Sequence, residues 1–136
     1  MELTRILAVK SVYDAFLSGD LSELPSTFSC NFEYFTPEAR SAIVGWQNFM
    51  HREIELAAEC GARLEDIEFA EGPETVISIV RHRIDRTTPE LGAYTFKSGD
   101  HKMIMNCTIW RFNKEDLIVR VESFPMSARL PRTADL

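Results

Sequence analysis

The chain has 136 residues, of which 45% are hydrophobic and 26% are charged, and its formal net charge is −6. This length and composition predict one globular domain, and the acidic balance argues against nucleic-acid binding, which needs a basic surface. The longest apolar runs are far shorter than a membrane span of roughly 20 residues, and the N-terminal residues do not form a signal-peptide pattern.

The number and spacing of the cysteines indicate whether the protein forms disulfides or binds a metal. Cys30, Cys60 and Cys107 are odd in number and form no CxxC pair, so neither a disulfide framework nor a zinc site is indicated. We therefore expect a reducing, cytoplasmic location, with no metal and no cofactor. His51 and Glu55 have helical i, i+4 spacing, but a third ligand is lacking, which favours a solvated face over a metal site.

The first part of the chain predicts two helices. Residues 3–17 show helical periodicity, and Gly19 is expected to end this helix in a left-handed conformation. Asp20 and Glu23 have the spacing of a capping box at the start of a second helix, which Pro25 keeps short. The apolar stripe of the first helix comprises Ile6, Val9, Val12, Tyr13, Phe16 and Leu17.

The middle of the chain predicts a strand and then the longest helix. Residues 32–36 read as a strand that ends at Pro37, and Gly45 precedes a helix over 46–59 that Gly61 ends. The inner stripe of this helix is expected to comprise Trp46, Phe49, Met50, Ile54 and Ala57.

Four more strands are predicted in the second half. Residues 64–71 and 74–86 alternate in polarity, and a connection over 89–100 could extend as a hairpin tip through Tyr94 and Phe96. Residues 101–112 and 117–124 are predicted to form a final hairpin. The order of elements predicts an α+β fold with helices on one face of a curved, mostly antiparallel sheet. We assign residues 1–126 to one domain and 127–136 to a C-terminal tail.

The first strand of the final hairpin is apolar on both of its faces. Ile104 and Trp110 lie on one face, and Met105, Cys107 and Ile109 lie on the other. A strand that is apolar on both faces is covered on both faces. The helices supply one cover, and a second copy of the sheet is the expected other cover.

Three segments carry a resemblance to a known family. They are Ala-Phe-Leu-Ser-Gly-Asp20, then Phe-Glu-Tyr-Phe-Thr-Pro37 followed by Gly45, and Thr-Ile-Trp-Arg-Phe-Asn113 followed by the strand that ends at Phe124. In order and spacing the chain resembles the NTF2-like superfamily, in particular its SnoaL-like and ketosteroid-isomerase-like members. The resemblance implies a cone-shaped α+β (cystatin-like) barrel, with a pocket between the helices and the concave sheet face. It also implies a homodimer through the convex face, by way of Ile79, Met105, Cys107 and Ile109.

The catalytic residues of the ketosteroid isomerases are not matched. That pattern implies an aspartate base just before the proline of the first strand, and an oxyanion hole made of a tyrosine and a protonated aspartate. Here the three positions hold Thr36, Val12 and Thr108, with Tyr13 one residue away from the tyrosine position. A threonine hydroxyl cannot act as a carboxylate base near neutral pH. We therefore predict that the chain is not a steroid isomerase of that mechanism.

Successive side chains of a strand point to opposite faces, and this alternation (the parity of each strand) predicts which residues form the pocket wall. The result is an apolar pocket with a few polar groups, typical of a site for a small hydrophobic molecule. No carboxylate falls on the predicted wall, which favours a binding role over catalysis. The candidate residues are Val12, Tyr13, Tyr34, Thr36, Trp46, His82, Asn106, Thr108 and Trp110.

Two functions stay open at this point. In the first, His82 carries the proton of a cofactor-independent isomerase, cyclase or dehydratase, supported by Tyr34 or Asn106. In the second, the domain binds a ligand or associates without catalysis, and His82 is a core histidine satisfied by a hydroxyl or carbonyl group. Tyr13 either donates to a ligand or packs in the helix stripe, and the two tryptophans fit a core or pocket wall better than a cofactor stack.

Overall fold

A computed structural model describes residues 2–36, 42–85 and 103–126. The predicted hairpin tip through Tyr94 and Phe96 and the 127–136 tail lie outside these residues. The elements are helix α1 (Glu2–Ser18), a 3₁₀ helix (Leu24–Ser26), strands β1 (Phe28–Phe35) and β2 (Ile43–Val44), helix α2 (Trp46–Cys60), and strands β3 (Arg63–Gly72), β4 (Thr75–Arg83), β5 (Met103–Phe112) and β6 (Ile118–Met126).

The strands form one six-stranded open sheet in the order β2-β1-β6-β5-β4-β3. Within it β1 and β6 are parallel, and the other neighbouring strands are antiparallel. The two α-helices pack on one face, which confirms the α+β class and the mostly antiparallel sheet. Neither helix in the described ranges is both long and apolar enough to cross a membrane.

The predicted end of α1 is confirmed, whereas the predicted start of the second helix, which is the 3₁₀ helix, is wrong. Gly19 has φ +77°, and its N–H donates to the carbonyl of Ala15 at 2.8 Å, so it ends α1 as expected. The capping box does not form. The Asp20 carboxylate accepts instead from the N–H of Ser22 at 3.0 Å, and Glu23 makes no side-chain cap. Because the Asp20 carboxylate stabilises a tight turn at Ser22, the 3₁₀ helix begins only at Leu24.

Two strand boundaries differ from the sequence prediction. Strand β1 starts at Phe28, four residues earlier than expected, because Phe28 is buried against the core. Strand β2 was not predicted, since a two-residue strand is too short to show an alternation pattern. It pairs with β1 through Glu33 and Tyr34, just before Gly45, whose positive φ of 91° turns the chain into α2.

The two faces of the sheet are distinct. The inner face, covered by the helices, carries Val76, Ser78, Val80, Thr108 and Trp110, all of which are buried. Register pairs place Ser78 directly opposite Thr108 and His82 opposite Ile104, so the predicted parity of β4 and β5 is confirmed. The side chains of Ser78, His82 and Thr108 therefore point toward the helices.

The outer face is the one opposite the helices, corresponding to the predicted convex face. Ile79 is paired with Cys107, and Ile77 is paired with Ile109. Met105 is only 4% exposed, and the other residues predicted for the dimer contact are partly exposed. Phe124, which is 40% exposed, lies opposite Cys107 on the same face and extends this apolar surface.

Candidate functional site

A cavity of about 130 Å³ lies between the two helices and the inner face of the sheet. Seven of the nine candidate residues line it, so strand parity located most of the wall. They are Tyr13, Tyr34, Thr36, His82, Asn106, Thr108 and Trp110.

Val12 and Trp46 were expected in the wall, and the structure places both elsewhere. Val12 is fully buried in the hydrophobic core, because neighbouring helix residues point about 100° apart and Tyr13 takes the cavity side. Trp46 lies at the start of α2, where its ring stacks on Phe28 with a centroid distance of 5.5 Å. Both residues support the wall from behind.

The most informative residue of the cavity was missed by the sequence analysis. Glu53 lies midway along α2 and lines the cavity, with 22% of its side chain exposed. The prediction that no carboxylate faces the pocket is therefore wrong. A signal was present, since Glu53 stands four residues after Phe49 and four before Ala57, both on the inner stripe of α2. It was overlooked because the stripe was drawn from apolar residues alone.

Glu53 is held by two neighbours. Tyr34 interacts with its carboxylate from β1, and Nη1 of Arg52 lies 3.3 Å from its Oε1. Burial raises the pKa of Glu53 above its ordinary value, while the Arg52 charge and the Tyr34 hydrogen bond partly oppose that rise. Burial, and then the Glu53 charge, raise the pKa of Tyr34 as well. The pair thus joins a carboxylate with strengthened basicity to a phenol that keeps its proton.

Arg52 is the cation of the site. Its guanidinium carbon lies 5.8 Å from the ring centroid of Tyr34, which places the charge over the aromatic face. Its side chain is 39% exposed, so it connects the cavity wall with solvent. Among the described residues that line the cavity, it is the single arginine or lysine.

A second polar group lies where α1 meets the sheet. Trp110 donates from Nε1 to the Ser78 hydroxyl at 2.9 Å, and the Tyr13 hydroxyl lies 2.8 Å from the same oxygen. Ser78 is fully buried. Burial raises the pKa of Tyr13 to about 12, so its phenol stays protonated at neutral pH.

A third polar group joins β5 and β6. The Asn106 amide donates from Nδ2 to the Ser123 hydroxyl at 2.6 Å, and Thr108 lies 3.4 Å from that same hydroxyl. Within the described part of the chain, Oδ1 of Asn106 is buried without a hydrogen-bond partner. Ser123 was not predicted as a wall residue. Ser123 pairs with Thr108 in regular register, so alternation along β6 places it on the inner face, and this local signal was overlooked.

His82 lines the cavity as predicted, but its environment limits what it can do. Burial lowers its pKa to about 4, so the imidazole is uncharged at neutral pH. A neutral imidazole can hydrogen-bond to a ligand, yet it carries no extra proton to donate near pH 7. Among the described wall residues with a shifted pKa, only that of Glu53 moves toward neutral pH.

Metal and thiol chemistry have few candidates in the described ranges. No group of three or more histidine, cysteine, aspartate or glutamate side chains there could hold a metal ion. Cys30 is exposed, and Cys60 is buried in the cavity wall.

Comparison with known proteins shows the fold. No protein-family model and no curated protein matches the sequence. Among solved structures, a putative ketosteroid isomerase from Kribbella flavida has a TM-score of 0.69 at 13% identity, covering 96% of this chain and 84% of that one. A cystatin-like protein of unknown function from Methylobium petroleophilum has a TM-score of 0.67 at 14% identity, covering 98% and 83%.

A third solved structure, a putative SnoaL-like polyketide cyclase from Jannaschia sp., has a TM-score of 0.66 at 15% identity. The match covers 91% of this chain and 86% of that one. The NTF2-like, or cystatin-like, fold expected from the sequence is thereby confirmed.

Proposed function

We propose that the chain is an enzyme that moves a proton at the carbon next to a carbonyl group of a small, largely apolar molecule, with Glu53 as the base. The observation that carries this proposal is a buried carboxylate of raised pKa in the wall of an apolar cavity. Isomerisation, cyclisation and dehydration of carbonyl compounds all begin with such a step. Two structural neighbours bear the names of an isomerase and a cyclase, which supports the enzymatic alternative.

The proposed step balances in protons and electrons. Glu53 takes the proton from the carbon, and the electron pair of the broken C–H bond moves into the carbonyl group to form an enolate. In a carbonyl compound with a β,γ double bond the enolate is a dienolate, and the protonated carboxyl returns the proton to its γ-carbon, which gives the α,β-unsaturated isomer. Tyr34, which interacts with the carboxylate in the cavity wall, orients it.

Tyr13 is the proposed donor to the enolate oxygen. The Ser78 hydroxyl accepts the indole N–H of Trp110, and its own proton is then available to Tyr13. This arrangement leaves the phenol proton of Tyr13 for the ligand. In this scheme His82 is a neutral residue of the wall that can hydrogen-bond to the ligand. Glu53, and not His82, carries the proton.

Exchange of carbon-bound hydrogen tests the proposal directly. Phenylacetone, a ketone with one ring, is incubated with the protein in D2O, and loss of its α-hydrogen signal is followed by NMR. We expect the wild type to accelerate exchange and Glu53→Gln to reduce that acceleration by about 100-fold or more. Glu55→Gln, in the same helix but exposed, should exchange like the wild type. Equal rates for Glu53→Gln and the wild type would contradict the role of Glu53.

The second candidate function is ligand binding without catalysis. The observation in its favour is that Thr36, Val12 and Thr108 stand where the ketosteroid isomerases need catalytic groups. The same experiment separates the two functions. Saturable binding of phenylacetone without any acceleration of exchange supports the binding function, whereas exchange that depends on Glu53 supports the enzyme.

The homodimer and the cytoplasmic location also remain proposals. The outer face offers a continuous apolar surface around Ile79, Cys107 and Ile109, bordered by the ion pair of Arg111 with Glu122 at 2.8 Å. Such a surface fits a second copy of the same face related by two-fold symmetry. An odd number of cysteines with no CxxC pair fits a reducing compartment.

A further inference from the structure

We propose that the ligand of this cavity is a carboxylic acid with a single ring, whose carboxylate binds Arg52 while the ring fills the cavity. The inference rests on the proposed function in one respect, that the cavity is the ligand site. It adds the charge and the size of the molecule, and it makes Arg52 the residue that selects for them.

The size follows from the volume of the cavity. At about 130 Å³ it is close to an engineered protein cavity of about 150 Å³ that binds benzene. The buried part of a ligand is therefore about one six-membered ring. The rings of Phe49 and Trp110, with centroids 6.4 Å apart, supply aromatic wall for it. Anything larger than one ring has to extend past the wall toward solvent.

The charge follows from the position and partners of Arg52. A guanidinium has five N–H donors in a planar fork. Among the described residues, its one hydrogen bond is a long contact of 3.3 Å from Nη1 to Glu53. The ring of Tyr34 supports the guanidinium from one side, and 39% of the side chain is exposed. The remaining donors are thus available to a second carboxylate, which an arginine can bind in bidentate geometry.

Apart from Arg52, the described wall residues offer no positively charged partner for an anion. The described wall residues other than Arg52 and Glu53 are apolar, or polar and uncharged at neutral pH, His82 included. A carboxylate that leaves water needs a paired cation to offset its lost hydration. Arg52 is therefore the one place in the described wall where such a group is stabilised, and a ligand held there lies beside Glu53.

A matched pair of probes tests the inference. 3-Phenylpropionate and 3-phenylpropionamide have the same ring, chain length and head-group size, and differ in charge. We expect the wild type to bind the acid at least about tenfold more tightly, measured by calorimetry or ligand-observed NMR in low salt. Arg52→Gln should bind both equally, and Arg52→Lys should keep part of the preference for the acid. Arg63→Gln, which removes a surface arginine paired with Asp85, should bind like the wild type.

Several outcomes would overturn the inference. They are equal binding of acid and amide by the wild type, an unchanged preference in Arg52→Gln, or no binding of the acid at millimolar concentration. None of these depends on Glu53, because the proposed function is read separately from hydrogen exchange of the neutral phenylacetone. Exchange without acid selectivity would refute the role of Arg52 alone. Acid selectivity without exchange would refute the catalytic role alone.

Discussion

Glu53, from the middle of α2, and Tyr34, from β1, line the same cavity, and each shifts the pKa of the other. Both groups are mostly removed from solvent: Tyr34 is 4% exposed, and the Glu53 side chain is 22% exposed. The effect of burial on the pKa of Glu53 is larger than that of the nearby Arg52 charge, because the pKa is raised although the Arg52 charge lowers it. A charged carboxylate at this place costs folding free energy, which is consistent with a residue kept for chemistry.

Glu53→Gln should therefore be more stable than the wild type at pH 7. The raised pKa means that the folded state binds the Glu53 proton more tightly than the unfolded chain does. This stabilisation is fully present below the ordinary pKa of 4.5 and is lost as the pH rises through the raised value. The urea midpoint of Glu53→Gln should exceed that of the wild type at pH 7, and the difference should shrink toward pH 4. A lower midpoint at pH 7 would contradict this account.

Ser78→Ala should destabilise the fold strongly for so small a change. Ser78 is fully buried and bonds to both Tyr13 and Trp110. Removing its hydroxyl leaves two buried polar groups without this partner, at a cost of about 2 kcal/mol or more in unfolding free energy. Urea denaturation measures the loss. Ser26→Ala, which removes an exposed hydroxyl bonded to Glu23, should change stability by less than about 0.5 kcal/mol. Similar losses in both variants would argue against the network.

Gly61→Ala should cost more than Gly19→Ala. Both glycines have positive φ, +64° and +77°, so each substitution carries left-handed strain of about 1 kcal/mol. At Gly61 an added Cβ would also lie 2.6 Å from Oδ2 of Asp85, whereas at Gly19 nothing lies within 4 Å. Asp85 must move, which disturbs its ion pair with Arg63. Thermal or urea unfolding should show a larger loss of stability for Gly61→Ala than for Gly19→Ala. Equal losses would contradict this prediction, because they would show that Asp85 moves without a cost in free energy.

His82→Gln should weaken the dependence of stability on acid pH. The folded pKa of about 4 lies below the ordinary 6.5, so the unfolded chain takes up the His82 proton first as the pH falls. The wild type therefore loses stability between pH 6.5 and 4, by roughly 3 kcal/mol at most. Urea midpoints from pH 7 to pH 4 should fall less steeply for His82→Gln. Exposed His51→Gln serves as the control, and it should follow the wild type.

The outer face should hold two copies of the chain together. Light scattering at micromolar concentration should give the mass of a dimer for the wild type. Ile79→Glu places a charge in the middle of the apolar surface and should give a monomer. Leu7→Glu, at a 52% exposed position on α1, should leave the dimer intact. A wild-type monomer at this concentration would refute the proposed interface.

Much of the fold could be predicted because its signals are local. Alternation along β4 and β5 correctly separated Ser78, His82 and Thr108 from Ile79 and Cys107. Glycines at the ends of the two α-helices marked where those helices stop, since the left-handed conformation costs glycine least. The elements missed or misplaced were β2, the start of β1 and the second helix, where a short length or a competing side-chain bond hides the pattern.

By itself, the sequence determined the order of the elements other than β2, and the inner and outer faces of β4 and β5, because these depend on neighbours along the chain. Only the tertiary structure decided which polar side chains meet. Glu53, Tyr34 and Arg52 come together because α2 packs across β1, and Ser123 reaches Asn106 because β5 and β6 are neighbours in the sheet. The raised pKa of Glu53 and the lowered pKa of His82 come from burial, which is a property of the folded chain and not of either residue.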